Sequence, residues 1–136
     1  MGSRRQGRIL ALQSLYSWEM TGEPAESLLQ FSWIDPERKE KLDSETVSFA
    51  RLLIQGTLEN IDVIDLSIQA RLEHWDISRL SKVDLAILRM STYALLYQNN
   101  IPKSVTIDEA VDISKKYGNS DSYRFINGVL DGINTE

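Results

Sequence analysis

The sequence contains no cysteine, which excludes a disulfide framework and any thiolate metal site. It has one histidine, His74, with no His-x-x-x-His companion, so a histidine-based metal centre lacks its ligand set. No Gly-x-x-x-x-Gly-Lys-Ser/Thr phosphate loop and no Gly-x-Ser-x-Gly nucleophile turn occur. No apolar run approaches the roughly 18 residues of a membrane span, and the N-terminus lacks the apolar core and cleavage site of a signal peptide. Proline occurs only at positions 24, 36 and 102, so long stretches carry no helix breaker. Together these absences predict a cytoplasmic protein that is not an enzyme and holds no cofactor or metal.

What is present fits one domain spanning residues 1–136, a length sufficient for a real core. The formal charge is -5, yet it is unevenly spread. Residues 1–18 carry Arg4, Arg5 and Arg8 and no acid, leaving all 20 acidic residues to the rest of the chain. An acidic body argues against broad coating of nucleic acid but leaves room for one local anion site.

Apolar residues recur at three- and four-residue spacing, which predicts an all-α domain of about six or seven helices. The first runs roughly from Ser3 to Met20 and ends before Thr21-Gly22. A short one covers Ala25 to Trp33, and a turn follows near 36–42. A long helix is expected from Ser44 to about Leu72, with Gly56 as a candidate bend. A short piece near 77–80 leads into a helix opened by Ser81 and Asp84, at capping-box spacing with Asp in place of Glu. Thr106 and Glu109 suggest a second capping box, Gly118 a stop, and Ser120 the cap of a last helix ending near Ile133.

Three of these helices stand out. In the first, Ile9, Leu10, Leu12, Leu15, Tyr16 and Trp18 cover most of the circumference, so it is wrapped by neighbours or keeps a face for a partner. Its three arginines sit at the positive end of the macrodipole, each typically costing roughly 0.3–1 kcal/mol. The same end suits phosphate, through free N–H groups and guanidinium forks; charge alone equally allows a solvated arm. The helix after Ser81 has surplus apolar surface, consistent with a central helix or a docking face. In the last helix Phe125 lies off the core stripe with Asp121 one turn before it. A half-exposed ring beside a carboxylate can stack on one base and accept a hydrogen bond; plain core packing and a helix-start charge are the structural alternatives.

The arginines before "ALQSLYSWEM", then "LSKVDLAILRMSTYALL", "TIDEAVDISKKYG" and "SDSYRFINGVLDGI", in this order and spacing, resemble the NusB family of bacterial transcription antitermination factors. The resemblance covers nearly the whole chain and is weakest over residues 21–44. It implies two packed helical subbundles and an adaptor that binds the boxA element of ribosomal RNA leaders. It also implies a joint action with NusE, a small-subunit ribosomal protein, on the RNA polymerase elongation complex. By position, Arg4, Arg5 and Arg8 match the family's arginine-rich RNA-binding start, and Tyr16 matches the tyrosine of its first helix. Asp121 and Phe125 match the acidic and aromatic residues of its RNA face. Asp84, Arg89 and Tyr93 correspond to the region facing NusE. Tyr123 and Arg124 stand where the family often has His and Lys. Some relatives self-associate near the RNA face, so the resemblance leaves a homodimer open.

Two other functions fit parts of the pattern. A helical protein–protein adaptor that never touches RNA would explain the apolar helix faces but not the misplaced arginines. The RNA-binding module of a ribosomal RNA cytosine methyltransferase would share the helical pattern, but the sequence stops at Glu136 with no room for a catalytic domain.

Overall fold

The computed structural model describes residues 2–31 and 33–133, and among these every regular element is helical. In chain order they are α1 (Ser3–Thr21), α2 (Ala25–Leu29), α3 (Pro36–Glu40), α4 (Ser44–Glu59), α5 (Ile61–Gln69), a 3-10 turn (Ile77–Arg79), α6 (Lys82–Tyr97), α7 (Lys103–Tyr117) and α8 (Ser122–Asp131).

Eight helices rather than six or seven arise partly because the expected 44–72 helix is two. The break is at Asn60, whose Nδ2 donates to the Gly56 carbonyl at 2.8 Å while its own backbone leaves the helical region at φ -116°. Its carbonyl then accepts from the Ile64 N–H and starts α5. Gly56 is therefore not the bend. It sits where α6 comes closest to α4, and any Cβ there would collide with the Tyr93 ring. The remaining helix is α3, where Asp35 accepts from the Glu37 N–H and Pro36 occupies the first turn. The second helix ends at Leu29, and Phe31 follows with φ 55°, a left-handed conformation that costs roughly 1–3 kcal/mol in a non-glycine residue. Complete burial of its ring against the core offsets that strain.

Ser81 caps α6 as expected, its Oγ accepting from the Asp84 N–H at 3.1 Å. The other two expected caps are not formed. α7 begins at Lys103, a turn earlier than expected, with Thr106 buried inside it and Glu109 turned to α1. α8 begins at Ser122, and Asn119 rather than Ser120 organises the turn before it, accepting from the Asp121 N–H at 3.1 Å. Gly118 does end α7, though in an extended conformation. A Cβ there would sit 2.6 Å from the Ser122 Oγ, so its role is close approach rather than a left-handed cap.

Every residue of α6 from Asp84 to Leu95 is buried, which settles its surplus apolar surface as that of a central helix. α1 packs with α2 and α4 on one side of it, α7 with α8 on another, and α5 lies against it and α4. Two subbundles thus share α6. α1 is correspondingly wrapped, with Gly7 through Leu12, Ser14 and Leu15 all buried. No helix among the described residues is long and apolar enough to cross a membrane.

Candidate nucleic-acid interface

The first turn of α1 holds no acid, and Gly2 caps it without a side-chain hydrogen bond. Its three arginines have three different environments. Arg4 is exposed, with its guanidinium 4.6 Å from the Phe49 ring centroid, and among the described residues it forms no ion pair. Arg8 is buried, 5.1 Å from the same ring on its other contact, and its Nη1 lies 3.4 Å from the Glu109 Oε1. Arg5 grips Glu109 of α7 as a fork, Nε to Oε1 and Nη2 to Oε2 both at 2.6 Å, and reaches Asp112 at 3.1 Å. Gly7 permits this seat, because a Cβ there would stand 2.8 Å from the Phe49 ring.

The unfavourable dipole position of the arginines is therefore offset by α7 carboxylates. Hydrogen bonding from Arg5 holds the Glu109 carboxyl below the usual carboxylate range, and the same contact pushes the Arg5 guanidinium further up. Burial, with Arg4 and Arg5 nearby, pulls Arg8 down from the ordinary arginine value. Glu109 and Asp112, which periodicity alone assigns to a solvated outer face, are the pieces that sequence reasoning missed. They stand 101 to 107 residues from the arginines they hold, so no local signal pointed to them.

Farther along the two helices, Tyr16 of α1 and Tyr117 of α7 line one apolar pocket of about 390 Å³ with Leu12, Trp33 and Val83. Tyr16 is exposed, 12 residues from Arg4 and hence roughly 18 Å along the helix axis. Tyr16 and the arginines therefore stand well apart along α1 and do not form one cluster. Lys115 of α7 stands 5.1 Å from the Tyr123 ring, and Arg124 donates from Nε to the Tyr123 hydroxyl at 2.9 Å. Asp121 is exposed at the start of α8, with its side chain outside any cap hydrogen bond. Phe125, one turn on, is half-buried, packed against the core along one edge and open to a surface cleft on the other.

Asp84, Arg89 and Tyr93 lie inside the fold. Arg89 forks onto Asp65 of α5 at 2.9 Å on both arms, reaches Glu19 of α1 at 2.6 Å, and covers the Trp18 ring. Tyr93 stacks on Tyr97 at 5.4 Å and fills the space over Gly56. The Asp84 N–H is spent on the Ser81 cap. As placed, these three side chains shape the α5–α6 surface from beneath rather than presenting themselves on it. What that region does expose is Val63 and Leu66 of α5, the latter 72% accessible, beside Asp62. His74 is exposed in the loop after α5, and no group of metal-ligating side chains occurs among the described residues.

A sequence profile described as "NusB family" matches residues 5–135. The transcription antitermination protein NusB of Treponema pallidum is 50% identical over 130 residues, spanning 96% of this chain and 91% of the relative. That of Geobacter sulfurreducens is 45% identical over 133 residues, spanning 98% and 94%. Among solved structures, T. maritima NusB superposes with a TM-score of 0.85 at 40% identity over 96% of this chain and 89% of that one. A chain from the complex of antitermination factors NusB and NusE with dsRNA superposes with a TM-score of 0.85 at 27% identity, covering 98% and 96%. With a profile match over almost its full length, and relatives at this identity, the chain belongs to the NusB family.

Proposed function

We propose that this chain is a transcription antitermination factor that acts as one domain in the cytoplasm. It binds boxA RNA together with NusE and thereby joins the RNA polymerase elongation complex. The observation that carries this is the α1 start: three arginines at a helix N-terminus, two anchored by Glu109 and the third, Arg4, exposed over the Phe49 ring with no ion pair among the described residues. Such an arrangement presents a cation and free N–H groups to a phosphate, while Glu109 competes with that phosphate for Arg5. Arg4 is the direct phosphate contact, and Arg5 and Arg8 reach phosphate from the edges of their ion pair. Asp121 and Phe125 extend the face along α8 and Tyr16 extends it along α1, with Phe125 as a stacking ring.

NusE docks, in this account, over the α5 surface that Asp84, Arg89 and Tyr93 support. Leu66 and Val63 supply the apolar centre, and exposed Asp62 an acidic rim suited to a basic ribosomal protein. An in vitro transcription reaction on a boxA template tests the whole reading. Adding this chain with NusE raises read-through at a downstream terminator, and mutating boxA removes the gain. Equal read-through with and without the chain refutes it.

A further inference from the structure

Of the three tryptophans, Trp75 is the exposed one, with 58% of its surface in water. It belongs to neither the arginine seat nor the α5 surface, and it shares one surface cleft with Leu72, Phe125 and Val129, so it is part of an apolar patch rather than a lone exposed ring. The bracing is specific. Gln69 donates from Nε2 to the Trp75 carbonyl and accepts at Oε1 from the Ile77 N–H, both at 2.8 Å, so one side chain holds both strands of the loop. Arg71 donates from Nη1 to the Gly132 carbonyl at 3.2 Å and ties the loop to the end of α8.

Between this loop and α8 lies a cleft of about 360 Å³. Trp75, His74 and Phe125 supply its rings, and Arg71 and Arg124 its cations against one acid, Glu73. Gly128, one turn after Phe125, has open space where a Cβ would stand, which leaves the approach to the ring clear. In a chain of net charge -5, a cleft with three rings and two guanidinium groups against one acid is locally the reverse of the average surface. Its chemistry is that of a base sandwich with flanking phosphates, since aromatic faces and guanidinium planes stack on any base and guanidinium donors pair with phosphate. Arg71 spends one donor on Gly132, so the rest of its fork remains for an anion.

We propose that the cleft between residues 71–75 and α8 is a second nucleotide subsite, in which Trp75 and Phe125 hold an unpaired base of single-stranded RNA while Arg71 and Arg124 hold its phosphates. The proposal rests on the RNA-binding function argued above and extends the face beyond Phe125 to Trp75, Arg71 and Arg124. Single-stranded boxA RNA, a scrambled RNA and NusE are titrated against the parent chain, Trp75→Ala, Trp75→Phe and Arg4→Ala, with melting curves for each. Trp75→Ala weakens RNA binding by about 5- to 150-fold, the range of one base–aromatic stack, while Trp75→Phe stays within about threefold of the parent. Both melt like the parent, because the ring is exposed. RNA quenches the tryptophan emission of the parent, and most of that quench is absent in Trp75→Phe. If Trp75→Ala binds RNA like the parent while Arg4→Ala weakens it, the subsite is refuted and the RNA function stands. If Trp75→Ala loses NusE but not RNA, the cleft is a protein contact and the proposal is overturned. A parent that binds no RNA overturns both.

Discussion

Replacing Glu109 by glutamine separates the two jobs of the arginine start. The carboxylate accepts two 2.6 Å hydrogen bonds from Arg5 and a longer one of 3.4 Å from Arg8. The Arg5, Glu109 and Arg8 side chains are 29%, 21% and 11% exposed. Exposed ion pairs contribute about 0–1 kcal/mol, whereas breaking a buried one costs about 3–5 kcal/mol. This pair lies between those limits, glutamine keeps one acceptor, and Asp112 remains beside Arg5. The expected loss is therefore about 1–2 kcal/mol, and the melting temperature falls by roughly 3–10 °C. The loss depends on pH. Because Arg5 holds the folded-state carboxyl below its ordinary value, folding favours the charged form. That stabilisation is fully present above the unfolded value of about 4.3 and disappears as pH falls through the lower folded value, so parent and variant converge in acid. RNA affinity moves the other way. A phosphate about 7 Å from the carboxylate is repelled by about 0.6 kcal/mol at the dielectric constant of water, so neutralising Glu109 tightens binding roughly threefold. Melting curves over pH and anisotropy of labelled boxA RNA read both effects. A folded Glu109→Gln protein that bound RNA more weakly would refute this reasoning, because the carboxylate would then be aiming Arg5 at RNA rather than competing for it. Unchanged melting at neutral pH would show that the pair contributes nothing.

Four further perturbations probe separate parts of the account. Arg4→Ala lowers the slope of log affinity against log salt by about 0.7, the value of one single-strand phosphate contact, and costs stability no more than the roughly 1 kcal/mol of an exposed cation–ring contact; an unchanged slope removes Arg4 from the RNA face. Phe125→Ala costs RNA affinity by about 1–3 kcal/mol while destabilising by less than the roughly 3–5 kcal/mol of a buried phenylalanine, as read by titration and denaturant melts. Leu66→Asp abolishes NusE binding in a pull-down and leaves RNA binding and melting unchanged, since the side chain is 72% exposed; retained NusE binding moves the docking surface elsewhere. Gly56→Ala forces a methyl group into the Tyr93 ring and destabilises by about 1–3 kcal/mol in denaturant melts while RNA affinity stays that of the parent.

The elements that could be read from the chain were those with local signals. α1 was bounded by its apolar run and by Gly22, which stands at φ 71° with its N–H on the Trp18 carbonyl, and α6 by the Ser81 cap and an unbroken apolar content. The α4–α5 break was hidden because a single non-helical residue, Asn60, barely shifts the phase of the apolar spacing. The Thr106–Glu109 pair matched a capping pattern by spacing alone, and a partner more than 100 residues away decided what Glu109 does. Asp84, Arg89 and Tyr93 are assigned to the region facing NusE by resemblance alone, and all three are buried. Arg89 is buried only because Glu19 and Asp65 arrive from α1 and α5 to neutralise it. Phe125 was legible as a ring off the core stripe, and it is half-buried. Trp75 carried no pattern of its own, and its setting depends on Gln69 and α8 meeting in three dimensions.

The central claim is that one face of this chain binds boxA RNA and that NusE strengthens that binding. Titration of labelled boxA RNA and a scrambled control, each with and without saturating NusE, tests it most directly. The account predicts tighter binding to boxA than to the control and a further gain with NusE. It also predicts an equal gain in NusE affinity when RNA is present, because coupling between two sites is reciprocal. Equal binding to boxA and scrambled RNA, with no change on adding NusE, would contradict it.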